Sequence, residues 1–337
     1  MLSIAFAPVY SLPMSFAFAL AAATSTSQPG ALKLFQDWTV GCDNGRACQA
    51  VALLPEGDWD GTTLVVRREA PAGAPAEFFV VPPEGANVVT AEANGARVAL
   101  IATDDGLAPR DPPEFLALLR SASELTLYDA ANKPVSRVSL KGASAALLYI
   151  DDQQKRVGTV TALVRPGAKP SSAVPAPPPL PVIALPAGSA APPPRLDRAA
   201  LLQTHVDTGC DRLAKPEDVT IARLDANATL VLLPDWCGSG AYNFSSVALI
   251  ADNRGRVRAA SFETPPGFQD DNVVVNGDWL ADERRLTSYA KGRGIGDCGT
   301  AQEYVWDGTR FRLTEFSQMG ECRGSLDWIT TWRAVAR

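Results

Sequence analysis

The chain has 337 residues, enough for two ordinary domains, and 46% of them are hydrophobic, enough for real cores. Its formal net charge is −6. Residues 31–166 carry 13 basic and 17 acidic side chains and residues 195–337 carry 17 and 20, so neither half offers the clustered positive surface that nucleic acid requires.

In chain order, the first feature is an apolar stretch from about Leu12 to Ala23 that ends in small residues. Ala19-Leu20-Ala21 and Ala21-Ala22-Ala23 both fit a small-x-small cleavage site, so residues 1–23 read as a signal peptide. No Lys or Arg precedes the stretch, and it is too short to span a bilayer. The mature chain is expected in the periplasm or at the cell surface, without a transmembrane segment.

A first domain, residues 31–166, opens on Phe35-Gln36-Asp37-Trp38-Thr39-Val40. Trp38, Val40 and Cys42 alternate onto one strand face, Asp43-Asn44-Gly45-Arg46 is a turn, and Cys48, Ala50 and Ala52 alternate on the returning strand. Strand patterns follow at 62–67, 77–81 and 97–102. Asp111-Pro112-Pro113-Glu114 starts a helix with a capping aspartate and an early proline, and Phe115, Leu116 and Leu119 form its apolar stripe. Strands at 124–128 and 135–140, a short helix at 144–153 and a Thr-rich, β-branched strand at 157–164 complete this domain. Between Pro166 and Pro194, 29 residues contain 11 prolines, so 167–194 reads as a semi-rigid linker whose cleavage should release two folded fragments. The second domain, 195–337, begins with a helix near 196–205 and is then almost wholly β. Strands are expected at 220–224 and 229–233, with hairpins around Asp252-Asn253-Arg254-Gly255 and Asp307-Gly308. The fold class is mainly β, with an α+β first domain. Both domains are expected to be sandwich- or barrel-like, the second an antiparallel meander.

The six cysteines are Cys42, Cys48, Cys210, Cys237, Cys298 and Cys322, and none has the C-x-x-C spacing of a zinc ribbon or redox motif. In an exported chain they read as three disulfides. The linker separates the first two from the other four. The hairpin at Asp307-Gly308 returns Cys322 to Cys298, and the turn near Asp225–Asn227 returns Cys237 to Cys210. The expected pairs are therefore Cys42–Cys48, Cys210–Cys237 and Cys298–Cys322.

The segments FQDWTVGCDNGRACQA and VSLKGASAAL resemble the invasion-associated locus B family of exported bacterial proteins. The longer set DDQQKRVGTVTALVRPG, GRGIGDCG, YVWDGTRF and MGECRG is similar to an exported family, domain of unknown function 1176, across both domains. The likeness implies a periplasmic or cell-surface protein and assigns no reaction.

The sequence offers little for catalysis. The one histidine, His205, lies on a predicted helix with no nucleophile placed beside it. Asp151-Asp152 reads as a solvated helix end, because adjacent helical residues point in different directions. Gly292-Arg293-Gly294-Ile295-Gly296 lacks the strand–turn–helix setting of a nucleotide loop. Asp270, Asp271, Asn272 and Asp278 are oxygen-rich but do not have EF-hand spacing. No cofactor and no metal are expected. The expectation is a non-catalytic binding protein whose ligand is an envelope protein or glycan. Its contacts would come from Trp236, Lys291, Arg293, Asp297 and Trp306, with the Gly-rich backbone turned toward an anion or carboxylate. An inhibitor of a cell-wall hydrolase and a carboxylate-dependent hydrolase are the alternatives.

Overall fold

The computed structural model describes residues 28–265, 268 and 271–337; the expected signal peptide and Asp270 lie outside the described residues. The first half builds β1 (Lys33–Phe35), β2 (Trp38–Cys42), β3 (Cys48–Ala52), β4 (Thr63–Arg68), β5 (Ala76–Val81), β6 (Thr90–Ala93), β7 (Ala96–Thr103) and β8 (Gly106–Pro109). Helix α1 (Pro112–Ser121), β9 (Glu124–Tyr128), β10 (Pro134–Ser139) and helix α2 (Ala143–Gln153) follow. The strands form one antiparallel sheet in the order β1-β2-β3-β4-β5-β8-β7-β6-β9-β10. Helix α1 starts as its sequence dictates: Asp111 accepts the Glu114 N–H at 2.9 Å, with proline in the first turn. Trp38, Val40, Ala50, Leu64 and Val66 turn to one face and bury against Phe115, Leu119, Leu147 and Ile150 of the helices. The Trp38 indole N–H donates to the Ser139 carbonyl at 3.0 Å, so even the largest core side chain is satisfied.

The expected strand at 157–164 does not form. Its amides are taken from outside a ladder: the Asp151 carboxylate accepts the N–H groups of Leu163 at 2.8 Å and Val164 at 2.9 Å. Thr159 Oγ1 donates to the Arg156 carbonyl at 2.7 Å, and Gly158 has φ +77°. The same network corrects the reading of Asp151 as solvated, because Asp151 is fully buried and faces Arg68 at 3.6 Å. Arg156 is fully buried too, donating to the carbonyls of Ala70 (3.1 Å), Pro71 (2.6 Å) and Ala72 (2.8 Å). Only Asp152 of the pair is exposed.

The Pro-rich segment is docked onto the rest of the protein. Its β11 (Val182–Ile183) pairs in parallel with the C-terminal β22 (Val335–Ala336), a pairing limited to two residues because proline cannot donate to a ladder. The second half starts with α3 (Arg198–His205), capped by Asp197, and His205 is its exposed last residue. Strands β12 (Thr220–Arg223), β13 (Thr229–Asp235), β14 (Ser245–Ala251), β15 (Val257–Ala259) and β16 (Val273–Val275) make one antiparallel sheet. Strands β17 (Asp278–Leu280), β18 (Arg285–Lys291), β19 (Gly299–Trp306), β20 (Phe311–Met319) and β21 (Ile329–Arg333) make another, a meander in chain order.

These two sheets enclose Leu230, Leu232, Ile250, Phe262, Leu286, Phe311 and Phe316, so the second half is an open sandwich and not a closed barrel. Alternate residues of β13, Val231 and Leu233, face Leu202 of α3. The outer face of the second sheet brings Met319 and Ile329 against Val51, Leu53 and Val65 of the first half. The two halves therefore share an apolar core. It is bordered by Arg323–Asp37 at 2.8 Å and by an Arg333–Asp43 ion pair.

Candidate functional site

The turn between β18 and β19 is fixed at several points. Asn243 Nδ2 donates to the Lys291 carbonyl at 2.9 Å, and its Oδ1 accepts the Lys291 N–H at 2.9 Å. Arg293 embraces Asp297 with two guanidinium nitrogens, one at 2.7 Å. Asp297 is fully buried and also accepts the Gly324 N–H at 2.7 Å. Burial alone would raise the Asp297 carboxyl; Arg293 and the Gly324 N–H outweigh it and hold the group below the usual carboxylate range. Cys298–Cys322, with a Cα–Cα distance of 4.8 Å, joins this turn to the loop that leads into β21. Trp328 on that loop stacks on Tyr289 with centroids 4.7 Å apart and donates its indole N–H to the Gly296 carbonyl at 3.2 Å.

The glycines answer to this packing. A Cβ on Gly292 would lie 2.6 Å from Cys298 Sγ; one on Gly296, at φ +76°, would lie 2.9 Å from the Tyr289 hydroxyl. Arg293 is paired with Asp297, while Lys291, the other cation of this turn, lies over the Tyr289 ring at 5.7 Å. What faces outward is apolar: Ile295 is 47% exposed and Leu326, on the disulfide-linked loop, 69%.

The surroundings extend this end of the molecule. Arg323 donates to the Leu54 carbonyl at 2.6 Å, which ties the Cys322 loop to the β3–β4 loop, where Trp59 is exposed. On another side the Tyr242 hydroxyl donates to the Gly292 carbonyl at 3.3 Å. Neighbouring Phe244 meets Trp236 edge-on, with centroids 5.8 Å apart, and Arg212 lies 4.6 Å over the Trp236 ring. Cys210–Cys237, with Cα atoms 5.6 Å apart, fastens that segment. Lys291, Arg293 and Asp297 are thus together, and Trp236 joins them through residues 242–244.

Trp306 must be removed from the candidate surface. It is 2% exposed inside the sandwich, with its indole N–H donating to Asp225 at 2.7 Å. Cys42–Cys48 lies apart, closing the β2–β3 hairpin where the two residues are directly opposite. Of the oxygen-rich residues, Asn272 is engaged by the Ala248 carbonyl at 2.9 Å. Among the described residues no His/Cys/Asp/Glu group is arranged to hold a metal ion. Ile295, Leu326 and Trp59 carried no sequence signal, since a lone apolar residue in a loop fits any fold.

Fold and site together define a mainly β, disulfide-fastened protein in two core-sharing halves, with loops from both halves converging at one end. The chain belongs to the family described as protein of unknown function (DUF1176), which matches residues 32–335. It is similar to the Escherichia coli (strain K12) "Uncharacterized protein YpfG", 28% identical over 96% of this chain and 99% of that protein. Among solved structures it is similar to invasion associated protein B from Bartonella henselae, with a TM-score of 0.30 and 18% identity over 37% of this chain and 99% of that one.

Proposed function

We propose that this is an exported, non-catalytic binding protein that engages a protein partner of the cell envelope through its disulfide-linked end loops. The observation that carries the reading is the placement of exposed Ile295 and Leu326 on two loops locked together by Cys298–Cys322 and by Asp297. Such fixed loops lose little conformational freedom on association, and exposed apolar side chains gain by leaving water. Arg293 is paired with Asp297, so the most exposed side chains these loops present are the apolar Ile295 and Leu326, with the Lys291 cation beside them. The partner's matching surface is accordingly an apolar cleft. Three disulfides support folding in an oxidising compartment such as the periplasm, and the apolar N-terminal stretch supports a cleaved export signal.

The test is site-specific photo-crosslinking in intact envelopes of the full chain, with the crosslinker at Ile295, Leu326 or, as a control away from this end, Val160. The reading expects one protein captured from positions 295 and 326 and not from 160, which binds the purified chain directly. Equal capture from all three positions would reject it. A captured wall hydrolase that loses activity on binding would specify inhibition as the role.

A further inference from the structure

The three disulfides sit in unlike surroundings. Cys42 and Cys48 are 8% and 5% exposed and face each other across the β2–β3 ladder. Cys322 is exposed, but its partner Cys298 is 2% exposed. The two loops that this second bridge joins are also held by the Gly324 N–H on Asp297 and by the Trp328 indole on the Gly296 carbonyl. Cys210 and Cys237 are both partly exposed, and neither lies in a helix or strand.

The segment that carries Cys210 is the more telling half of the third bridge. Among the described residues, 207–214 take part in no backbone–backbone hydrogen bond. The Gly209 N–H donates to Asp207, within the segment itself. Apart from the disulfide, the segment is held by Arg212, 4.6 Å over the Trp236 ring and 5.7 Å over that of Phe244, and by Ala214 against the apolar cluster of Leu202. Leu213 is 52% exposed. Cys237 stands on firmer ground, a turn at the end of β13. There the Gly238 N–H donates to the Asp235 carboxylate at 3.0 Å, Ser239 Oγ donates to the Asp235 carbonyl at 2.6 Å and accepts the Ser245 N–H at 2.8 Å. Thiols that the fold keeps adjacent re-form their bridge and expel an attacking thiol; thiols that drift apart stay reduced. The first two bridges are of the former kind and Cys210–Cys237 is of the latter.

We propose that Cys210–Cys237 is a reversible thiol–disulfide exchange site, opened by a dithiol reductant of the Cys-x-x-Cys class, and that its opening releases residues 207–214 from Trp236 and Phe244. The reductant's first thiolate attacks one of the two sulfurs, forming a mixed disulfide and breaking the Cys210–Cys237 bond; the cysteine set free leaves as a thiolate and takes up a proton. The reductant's second thiol, giving up its proton, attacks the mixed disulfide, frees the other cysteine and closes the reductant's own disulfide. Two electrons and two protons pass to this chain, and an oxidant of the same class reverses the exchange. The site stands whether or not the end loops engage a partner.

The purified, oxidised full chain is treated with dithiothreitol without denaturant, and each bridge is followed by differential alkylation and peptide mass spectrometry. Cys210–Cys237 should open about tenfold faster than either of the others. A thioredoxin-class reductant lacking its second cysteine should be trapped as a mixed disulfide on Cys210 or Cys237. In backbone NMR of the labelled chain, opening should narrow the signals of 207–214, leave those of Asp297 and Trp328 in place, and reverse on oxidation. The double variant Cys210→Ser, Cys237→Ser should show the same released segment on an otherwise unchanged spectrum, without reductant. Another bridge opening first, or all three opening together, would overturn the proposal. So would capture of the reductant at neither cysteine, signals of 207–214 that do not respond to opening, or a double variant that unfolds as a whole, which would make the bridge purely structural.

Discussion

Asp151→Asn removes one charge at constant shape from the most deeply buried polar network of the first half. In the native protein this carboxylate receives two backbone N–H groups at 2.8 and 2.9 Å and faces Arg68 at 3.6 Å. Burial already pulls the Arg68 guanidinium down to about 10, the neighbouring Arg156 adds to the fall, and Asp151 opposes it. An asparagine can accept only one of the two amides, because its NH₂ meets the other donor to donor. An orphaned buried N–H costs about 1–3 kcal/mol, and breaking a buried ion pair from one side costs about 3–5 kcal/mol. The two losses overlap, so we expect a total near 3–5 kcal/mol, a large share of the 5–15 kcal/mol typical of whole proteins (~). Equilibrium urea unfolding should show this loss as a lower midpoint at unchanged slope. Adding Arg68→Met to the same chain should restore part of the stability, since the stranded cation is then gone. A single Asp151→Asn variant within about 1 kcal/mol of the parent would refute the argument, because a group without net interactions would be lost at that level.

Cys298→Ser opens a bridge spanning 24 residues; the chain-entropy model values it at about 3 kcal/mol, so melting temperature should fall and thiol titration should find Cys322 free. Because Asp297 is held below its usual range, its stabilising contribution is complete above about pH 4 and fades as pH falls through its lower folded value. Urea midpoints of Asp297→Asn measured across that acid window should therefore vary less with pH than those of the parent; parallel curves would show the pairing is immaterial. Proteolysis within 187–194 should yield two fragments that co-elute in native buffer, held by Val51, Val65, Met319 and Ile329 and by the β11–β22 pairing, and that part only in denaturant. N-terminal sequencing of the exported protein should find a start near Ala22 or Thr24, and an intact Met1 would contradict export by cleavage.

What the sequence revealed, it revealed through local physics. Asp111 and the prolines after it start α1 because the cap is made within four residues. The pairs Cys210–Cys237 and Cys298–Cys322 follow from turns that lie between their members. The segment 157–164 misled because its β-branched composition is overruled by a carboxylate twelve residues upstream. Trp306 misled because counting indoles does not reveal which way each one faces, and its partner Asp225 lies 81 residues away. Two signals were present and went unread. Arg293 and Asp297 are four apart, close enough for the pairing that engages the loop's arginine. The apolar run Ala50–Leu54 and Leu64–Val66 show no polar alternation, which is the mark of strands buried on both faces and hence of a second half packed against the first. Strands of three residues, such as β16 and β17, are too short to leave any periodic trace.

The most direct test of the central claim is the affinity of the crosslinked partner for the purified full chain, compared among Ile295→Asp, Leu326→Asp and Val160→Asp. A central apolar contact is worth about 2 kcal/mol, or roughly thirtyfold in affinity. The account predicts that each of the two end-loop variants weakens binding by about that factor and that Val160→Asp binds like the parent. End-loop variants that bind as the parent does, or a Val160→Asp variant that loses as much as they do, would contradict it.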